Sequence, residues 1–570
     1  MARFRRTVNL LEQRDIHLHG RSYTWSNERR HPTLVKLDRI LVSVDWEDLF
    51  PRCFLQALAS DDSDHCPLML QTNRSVKAKS RFHFEPYWPK LPDFLEAVAR
   101  GWHCPDDVTS PYRRLDCKLR SVARELQSWS AKKIGSIRQQ LMIAREVVLQ
   151  LDRAQDHREL TDEEHNLRKQ LKRLSLGLSS LERTIARQRS RNLYLSEGDA
   201  NTRFFHLLAN GRRRKNHITR VYDDDGAMYT AGAMEGVFFK FFDELIGNEH
   251  TRSSSLNFEA LGITPQDLSA LEEPFTEEEV LQAIKALPRE KSPGPDGMTS
   301  AFYLAAWPAI RQDVMFAVNA FYAIDRRGFN SINGALLTLI PKKPDASMPK
   351  DYRPISLIHS FPKLMAKLLS LRLSKFIDPL VLCNQSAFIS GRSILDNFKY
   401  IQRAAVTLRK RKIPKVLLKL DISKAFDTLS WQFLLEVLQA WGFGCRWRDW
   451  IALLLSTAST KLLINGQPGQ PITHRRGLRQ GDPLSPMLFV IAMDALNRLF
   501  RKAAQDEVLE PLGLPGEGHH CSLYADDAIV LAAPTGEEAT AIQSILSIFG
   551  EASGLQINWG KCSVTPIFGD

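Results

Sequence analysis

The sequence predicts an α+β protein, because strand-like and helix-like patterns alternate along its C-terminal half without an internal repeat. Its 570 residues are 44% hydrophobic and 25% charged, which is ordinary globular composition and excludes collagen, a coiled-coil fibre or extended disorder. No stretch reaches the roughly 18 consecutive apolar residues of a membrane span, so no membrane partner is expected.

The N-terminus is basic but lacks the apolar core and the small-residue cleavage site of a secretory signal. An intracellular location is therefore expected. The eight cysteines are scattered, and no two have the CxxC spacing of a zinc ribbon. They are expected to be reduced thiols rather than a disulfide framework.

Three parts are expected along the chain: residues 1–75, which read as short strands and loops, residues 76–250, and a large domain over residues 251–570. The net charge of +12 is concentrated in the second part. Residues 111–220 hold 25 basic and 12 acidic side chains, whereas the other 460 residues hold 52 and 53. This segment could be a polyanion-binding element attached to a globular part with almost no net charge. It could equally be a solvent-exposed helical surface that is basic but binds no polyanion.

Two long helices are predicted over residues 112–152 and 162–196, because apolar residues recur there at alternating spacings of four and three. Thr161 with Glu164 fits a capping box that begins the second helix. We expect an antiparallel helical hairpin at about 112–196 whose apolar seams pack against each other. The seam of the first helix consists of Leu115, Leu119, Val122, Leu126, Ile137, Leu141, Ala144, Val148 and Leu151.

A basic run follows the hairpin, directly after a short aromatic segment that is expected to belong to a core. Clustered guanidinium groups suit contacts with phosphates, so the run is a candidate nucleic-acid-binding element. It consists of Arg212, Arg213, Arg214 and Lys215.

Acidic residues stand at the ends of two apolar runs in the C-terminal half. Residues 416–420 predict a buried strand that ends at Asp421, and Asp526 with Asp527 would form the tip of a strand–turn–strand unit. Each signal alone is weak, since an Asp pair in a turn is often only turn chemistry. Together they predict three carboxylates that bind Mg²⁺, because a divalent cation offsets both burial and like-charge repulsion. Two such ions about 3.5–4 Å apart would serve phosphoryl or nucleotidyl transfer.

The segment between these acids contains the polar turn RQGDP, and Ser485-Pro486 after it predicts the start of a helix. Arg479 and Gln480 in the turn are candidate nucleotide contacts. The alternative is that the turn only caps a core helix. Thr276 with Glu279 predicts a further helix start.

An ordered set of segments resembles the reverse transcriptase domain of non-LTR (LINE-type) retrotransposons and covers roughly the C-terminal half. The set consists of KSPGPDG (291–297), LIPKK (339–343), DYRPISL (351–357), NQSAFISGRSILDN (384–397), LDISKAFD (420–427), GLRQGDPLSP (477–486), YADD (524–527) and SGLQINWGKC (553–562). The resemblance implies the palm and fingers of a right-hand polymerase. It also implies RNA-directed DNA polymerase activity with an RNA template, a DNA primer and dNTPs, in the nucleus and cytoplasm.

The resemblance also assigns roles to single residues. It implies that Asp421, Asp526 and Asp527 hold two Mg²⁺ ions and that Phe426 excludes a ribose 2′-OH. Lys561 would protonate the leaving pyrophosphate. The remaining residues in the implied nucleotide site are Lys342 and Arg353, which would contact the incoming triphosphate, and Gln480, which would lie beside its sugar.

Three N-terminal segments, GRSYTWSN (20–27), KLDRILVS (36–43) and SDHCPL (63–68), resemble the C-terminal end of the endonuclease/exonuclease/phosphatase fold. By that match His65 is the catalytic imidazole, Asp38 its orienting carboxylate and Asp64 a neighbour of the metal. The half of that fold with its other metal ligands is not found before Met1, so a partial α/β remnant without nuclease activity is expected. The primer grip and thumb of the polymerase are expected to be missing after Asp570.

Two other interpretations remain open at this point. The chain could be a catalytically inactive nucleic-acid-binding remnant that uses residues 111–220. It could also be an intron-encoded reverse transcriptase with RNA-splicing activity, although an endonuclease remnant ahead of the polymerase argues against that arrangement. The sequence gives no indication of the oligomeric state.

Overall fold

The computed structural model of this chain describes residues 2–19, 23–27, 33–50, 53–57, 64–72, 81–134, 137–155, 158–190, 216–249, 252–514 and 518–568. Helices and strands are mixed throughout these segments, as the α+β prediction requires. The α-helices are α1 (Ala2–Leu10), α2 (Val44–Leu49), α3 (Phe94–Gly101), α4 (Pro111–Ile134), α5 (Ile137–Gln155), α6 (Asp162–Ser190), α7 (Met234–Phe242), α8 (Glu277–Ala286), α9 (Ser300–Tyr322), α10 (Phe329–Ile332), α11 (Ser360–Leu373), α12 (Ile377–Leu380), α13 (Ile394–Arg411), α14 (Ala425–Thr428), α15 (Trp431–Ala440), α16 (Cys445–Ser456), α17 (Ser485–Gln505) and α18 (Gly536–Ser553).

The strands form two four-stranded sheets and several smaller ones. They are β1 (Arg14–Asp15), β2 (Leu18–His19), β3 (Trp25–Ser26), β4 (Leu34–Val35), β5 (Leu41–Val42), β6 (Phe54–Ala57), β7 (Leu68–Gln71), β8 (Arg220–Tyr222), β9 (Met228–Thr230), β10 (Gly334–Pro341), β11 (Tyr352–Ile358), β12 (Lys415–Leu420), β13 (Ser459–Ile464), β14 (Gln467–Thr473), β15 (Cys521–Tyr524), β16 (Asp527–Ala532) and β17 (Ser563–Phe568). No described helix is long and apolar enough to cross a membrane.

The N-terminal segments form small sheets around a core of their own. Strands β2, β6 and β7 make one sheet, and β1–β5 and β3–β4 make two-stranded ladders. Ile16, Leu18 and Leu55 are buried between them. The predicted short strands and loops are therefore present, with helices α1 and α2 in addition.

The predicted helical hairpin differs from the structure in its first arm. Helices α5 and α6 do pack against each other, and the Thr161–Glu164 capping box is formed. Helix α4 instead packs against α3, α9 and α10, and its residues Leu115, Leu119 and Leu126 are fully buried in the main core. A four-and-three spacing specifies an apolar stripe but not its partner, and α4 finds more apolar surface in the main core than in the hairpin.

The central sheet has the strand order β15–β16–β12–β17. All three pairings in it are antiparallel, and β12 lies between β16 and β17. Val416 and Leu418 of β12 pack on the main core, whereas Leu417 packs with Leu531 and helix α13 on the other face. Because both faces and both edges of β12 are covered, the position of its C-terminal end is firmly defined.

The second sheet has the order β11–β10–β13–β14, with β10 parallel to β13 and antiparallel to β11. Helix α7 packs on it, where Phe238 and Phe242 join a separate apolar cluster with Leu337 and Leu462. The predicted helix starts near this sheet are confirmed: Thr276 and Glu279 form a capping box at α8, and α17 begins at Ser485-Pro486.

Candidate active site

The three acids that the sequence predicted to act together lie at the same end of the central sheet. Leu420, the last residue of β12, pairs with Ala528 of β16, so Asp421 follows at the position opposite Asp527. In the β15–β16 hairpin Tyr524 pairs with Asp527, which places Asp526 in the connecting turn. The predicted strand–turn–strand unit is therefore formed, and the register brings Asp421 to its tip.

The three carboxylates are close enough for the charges of Asp421 and Asp527 to affect the pKa of Asp526. Asp526 is half-buried, while Asp527 is exposed. Burial raises the pKa of Asp526, and the charges of Asp527 and Asp421 raise it further. The turn thus concentrates negative charge in a partly desolvated position, which costs folding energy unless a cation offsets it.

Buried or partly buried amide side chains form hydrogen bonds with the backbone of β15 and of the turn after it. The Gln385 side chain is fully buried, and its Oε1 accepts a hydrogen bond from the Ala525 backbone N–H at 3.0 Å. Asn384 Nδ2 donates to the Cys521 carbonyl at 2.6 Å, and Asn397 Nδ2 donates to the Leu523 carbonyl at 2.6 Å. No role was predicted for these three residues from the sequence. The sequence did contain one signal of such a role, the adjacent amides Asn384 and Gln385 close to apolar residues. Amide side chains that are buried need specific hydrogen-bond partners.

Lys561 reaches the acids through a loop that is fastened beside β12. The Asn558 N–H donates to the Asp421 carbonyl at 2.8 Å, and the Ser423 N–H donates to the Gln556 carbonyl at 2.8 Å. Lys561 Nζ lies 3.8 Å from Asp421 Oδ2. The structure therefore brings this predicted residue to the carboxylate site.

Lys342 and Arg353 lie at one end of strands β10 and β11 of the second sheet, where Lys342 is near Lys561. Arg353 of β11 pairs with Ile340 of β10, and Lys342 follows Ile340 by two residues. Burial lowers the pKa of Lys342, and the positive charges of Lys561 and Arg353 lower it further. Lys342 thus has two further cations near it, one of which, Lys561, adjoins Asp421, and such a group of cations suits a polyphosphate.

Phe426 and Gln480 lie between the two sheets. The half-buried Phe426 ring stacks on Phe489, with centroids 4.2 Å apart and planes 20° from parallel. The Ser356 N–H donates to the Gln480 carbonyl at 2.8 Å, which fixes the polar turn against β11. Gln480 Nε2 donates to Asp427 Oδ1 at 3.4 Å.

Asp427 is a buried acid that the sequence analysis did not single out. Burial raises its pKa to about 7, although Lys424, Lys342 and the hydrogen bond from Gln480 all act to lower it. Its signal in the sequence was the second acid of LDISKAFD, but the pattern alone does not show which acid is buried.

Arg479 does not face the nucleotide side, so its predicted contact is wrong. Its guanidinium is buried, donates to Asn333 Oδ1 at 2.8 Å and lies 3.5 Å from Asp482 Oδ2. Asp482 in turn accepts hydrogen bonds from the N–H groups of Leu484 and Ser485 at the start of α17. The pair fixes the start of a core helix, which was the alternative interpretation of this turn.

The donor chemistry of the site fits a hard divalent cation. No three His, Cys, Asp or Glu side chains among the described residues already surround a metal-sized space. Burial is the main cause of the raised pKa of Asp526, and the charges of Asp527 and Asp421 add to it, so a cation coordinated by oxygen would favour the charged form of this group. The predicted basic run, Arg212 to Lys215, lies outside the described residues.

A second polar site occurs in the N-terminal unit. His65 Nδ1 lies 2.7 Å from Asp38 Oδ2, and Asp64 Oδ2 accepts a hydrogen bond from Trp25 Nε1 at 2.7 Å. Thr24 Oγ1 accepts from the Asp38 N–H at 2.9 Å and holds that segment in place. The structure thus brings together the three residues that the resemblance named. The hydrogen bond to Asp38 raises the pKa of His65, and the same bond lowers the pKa of Asp38.

Replacing Asp38 by Asn is expected to lower the pKa of His65 toward the ordinary histidine value, because the hydrogen bond that the imidazole donates to the Asp38 carboxylate is the main cause of the rise. The pKa is measured by NMR titration of the chain labelled at histidine. Asp64→Asn is the matched control and should lower it less, since Asp64 acts on His65 only through its charge. An unchanged titration in Asp38→Asn contradicts the pairing.

Comparison with known proteins places the C-terminal half in a family. Residues 340–566 match the family described as reverse transcriptase (RNA-dependent DNA polymerase). A Xenopus laevis protein named transposon TX1 uncharacterized 149 kDa protein is 30% identical over 385 residues, which is 66% of this chain and 29% of that protein. The family match contains strands β11 to β16 and parts of β10 and β17, the strands of the two four-stranded sheets.

Two Drosophila melanogaster proteins are also similar. The retrovirus-related Pol polyprotein from type-2 retrotransposable element R2DM is 28% identical over 283 residues, 49% of this chain and 25% of that protein. The probable RNA-directed DNA polymerase from transposon BS is 26% identical over 234 residues, 40% of this chain and 25% of that protein. The chain thus spans less than a third of the length of these relatives. Residues 340–566 therefore match the reverse transcriptase family, and the similar proteins support the form found in non-LTR (LINE-type) retrotransposons.

Proposed function

We propose that this chain carries the RNA-directed DNA polymerase activity of a non-LTR retrotransposon, with an RNA template, a DNA primer and dNTPs as its partners. The observation that carries the proposal is the meeting of Asp421 with Asp526 and Asp527 at the end of the central sheet. Lys561 lies 3.8 Å from Asp421, and Lys342 is close enough to Lys561 and Arg353 for their charges to lower its pKa. Acids and cations so placed fit a reaction in which a hydroxyl attacks a polyphosphate.

Asp421, Asp526 and Asp527 would hold two Mg²⁺ ions, which lower the pKa of a bound hydroxyl and stabilise a leaving pyrophosphate when present. Lys342 and Arg353 would orient the triphosphate through charge-assisted hydrogen bonds. Lys561, now 3.8 Å from Asp421, would give a proton to the pyrophosphate as it leaves.

Phe426 would lie under the sugar of the incoming nucleotide, and Gln480 would lie beside it. The stack on Phe489 limits the movement of the Phe426 ring, so an extra hydroxyl at the 2′ position would meet a fixed surface. In this proposal the central sheet is the palm and the second sheet belongs to the fingers. The two sheets would bind the nucleotide between them.

The test is primer extension by the full chain on an RNA template with dNTPs and Mg²⁺. Extension that stops when Mg²⁺ is chelated and resumes when it is restored supports the proposal. Folded, nuclease-free protein that binds the primer–template and never extends it contradicts the proposal, and would leave the inactive nucleic-acid-binding interpretation.

Replacing Phe426 by Ala should raise the use of rNTPs relative to dNTPs by on the order of tenfold or more, because the surface that meets the 2′-OH is removed. The ratio of kcat/KM values for rNTP and dNTP measures the change. Phe388→Ala is the matched control, since Phe388 is 49% exposed and its removal should leave the ratio unchanged. If the parent chain and the Phe426→Ala chain show the same ratio of kcat/KM values for rNTP and dNTP, the proposed role of the ring is ruled out.

We further propose that residues 1–75 belong to an endonuclease/exonuclease/phosphatase domain, that residues 76–250 are the basic helical linker region, and that residues 251–570 are the polymerase fingers and palm. The His65–Asp38 hydrogen bond supports the first assignment, since an oriented imidazole is the arrangement of a general base. The nuclear and cytoplasmic location implied by the resemblance belongs to the same proposal, and imaging of a tagged chain tests it.

A further inference from the structure

Asp427 lies on the side of the site where the nucleotide phosphates are proposed to bind. It belongs to the short helix α14, directly after Phe426, and is only 9% exposed. Lys342 and Lys424 are near enough to act on its charge, and Gln480 Nε2 donates to its Oδ1 at 3.4 Å. One buried acid thus contacts Gln480 and lies near Lys342, two of the residues proposed to bind the nucleotide.

The charged groups around Asp427 come from several elements. Lys424, at the start of α14, places its ammonium 4.2 Å from the centre of the Phe241 ring and also faces Arg476 and Asp224. Lys342, just after β10, also faces Arg353, Lys561 and Asp351. The turn of residues 243–247, which packs on α14, directs its Asp243 side chain toward Gly247. Cations therefore predominate around the acid.

The backbone that carries Asp427 is fixed against its neighbours. The Leu478 N–H donates to the Phe426 carbonyl at 2.6 Å, and the Gly477 N–H donates to the Leu429 carbonyl at 2.8 Å. A Cβ at position 477 would lie 2.4 Å from the Asp427 carbonyl oxygen, so only glycine allows this approach. Because this segment of backbone is fixed, Asp427 stays close to the proposed phosphate position when a polyanion binds, and protonation of its carboxylate would relieve the repulsion.

We propose that Asp427 is a positioning residue that serves as the counter-ion of Lys342 and Lys424, and that it takes up a proton from water when a nucleoside triphosphate binds. The inference rests on the proposed function of the same site. Before binding, the carboxylate balances the charge of the two ammonium groups, of which Lys342 donates to the Lys350 carbonyl at 2.8 Å and Lys424 lies over the Phe241 ring. The triphosphate then replaces it as their partner, and the carboxylate becomes a neutral carboxylic acid that still accepts the Gln480 hydrogen bond.

The sign of the pH dependence follows from linkage. A bound polyanion raises the pKa of a nearby carboxyl, so protonation and nucleotide binding favour each other. The pKa of Asp427 is already about 7, so the coupling falls in the ordinary working range of pH. Below that value the acid is neutral and does not oppose the triphosphate. Above it the triphosphate has to displace a carboxylate, and binding weakens.

The test measures the Kd of dTTP with Mg²⁺ for the full chain bound to an RNA template and a dideoxy-terminated DNA primer. For the parent chain the Kd is expected to rise by about tenfold between pH 6 and pH 8.5, which is the effect of a one-unit change in pKa. Asp427→Asn should bind dTTP at both pH values with the affinity that the parent shows at pH 6. Ionisation of the nucleotide itself affects both proteins equally. Asp506→Asn, an exposed acid beyond the end of α17, is the matched control and should behave as the parent.

A second measurement does not depend on the variant being folded. Calorimetric titration of the parent at pH 7.5 in two buffers of different ionisation enthalpy should show uptake of a fraction of a proton for each dTTP bound. No uptake, or the same pH dependence in a folded Asp427→Asn chain, overturns the inference while the proposed function stands. A parent chain that binds the primer–template but no dTTP at either pH contradicts the proposed function itself.

Discussion

Asp526→Asn is expected to reduce primer extension by at least about 10³-fold, because it removes a charged ligand from the group of acids that would hold the metal ions. The substitution keeps the shape of the side chain. Folding should not suffer, because burial and two neighbouring acids already raise the pKa of Asp526 and so disfavour its ionised form in the folded chain. We expect an unchanged or slightly higher thermal midpoint together with lost activity.

Single-turnover extension and differential scanning fluorimetry measure these two effects. Glu537→Gln is the matched control, because Glu537 is an exposed acid in the first turn of α18, beyond the opposite end of β16. It should retain parental activity and stability. A fully active Asp526→Asn chain would remove the basis for assigning catalysis to this turn. Lost activity with a strongly lowered midpoint would indicate misfolding instead.

The second large effect is expected for stability, at the buried ion pair of α17. Asp494 is fully buried and accepts hydrogen bonds from Arg498 Nε at 2.6 Å and from the Leu382 N–H at 3.0 Å. Arg498 also donates to the Gly262 carbonyl at 2.9 Å and lies 4.8 Å from the Trp441 ring centre. Asp494→Ala should lower the free energy of unfolding by about 3–5 kcal/mol, because it leaves a buried guanidinium and an N–H without their acceptor.

Urea unfolding followed by tryptophan fluorescence measures this change, since Trp441 adjoins the pair. The same helix offers a matched control one turn later, where Lys502 and Asp506 form a pair at the same i,i+4 spacing but largely in solvent. Asp506→Ala should cost less than about 1 kcal/mol, because water screens an exposed pair. Equal losses in the two variants would show that burial does not determine the strength of these pairs.

The acids of the candidate site could be predicted because their signals are local. Asp421 ends one apolar run, and the Asp526–Asp527 pair separates two others, so strand and turn patterns alone place them at strand ends. That the two ends meet was a hypothesis from chemistry. The pairing of Leu420 with Ala528 confirms it.

Other features could not be predicted because they depend on contacts between distant segments. Gln385 is a structural support only because the turn at Ala525 lies 140 residues further along the chain and folds onto it. Helix α4 carried the correct apolar stripe, but its spacing did not indicate that the main core would be its partner. The polar turn of Arg479 was correctly located, whereas the direction of its guanidinium depended on Asn333, which belongs to another segment.

The order of the strands in the central sheet has a consequence for synthesis of the protein. Strand β12 leaves the ribosome well before β16 and β17, the two strands that cover its edges. Until those strands are made, an apolar strand with two open sides is available to other nascent chains. Products that terminate between residues 421 and 527 are therefore expected to aggregate, and a chaperone that shields extended apolar segments would be needed most during that interval.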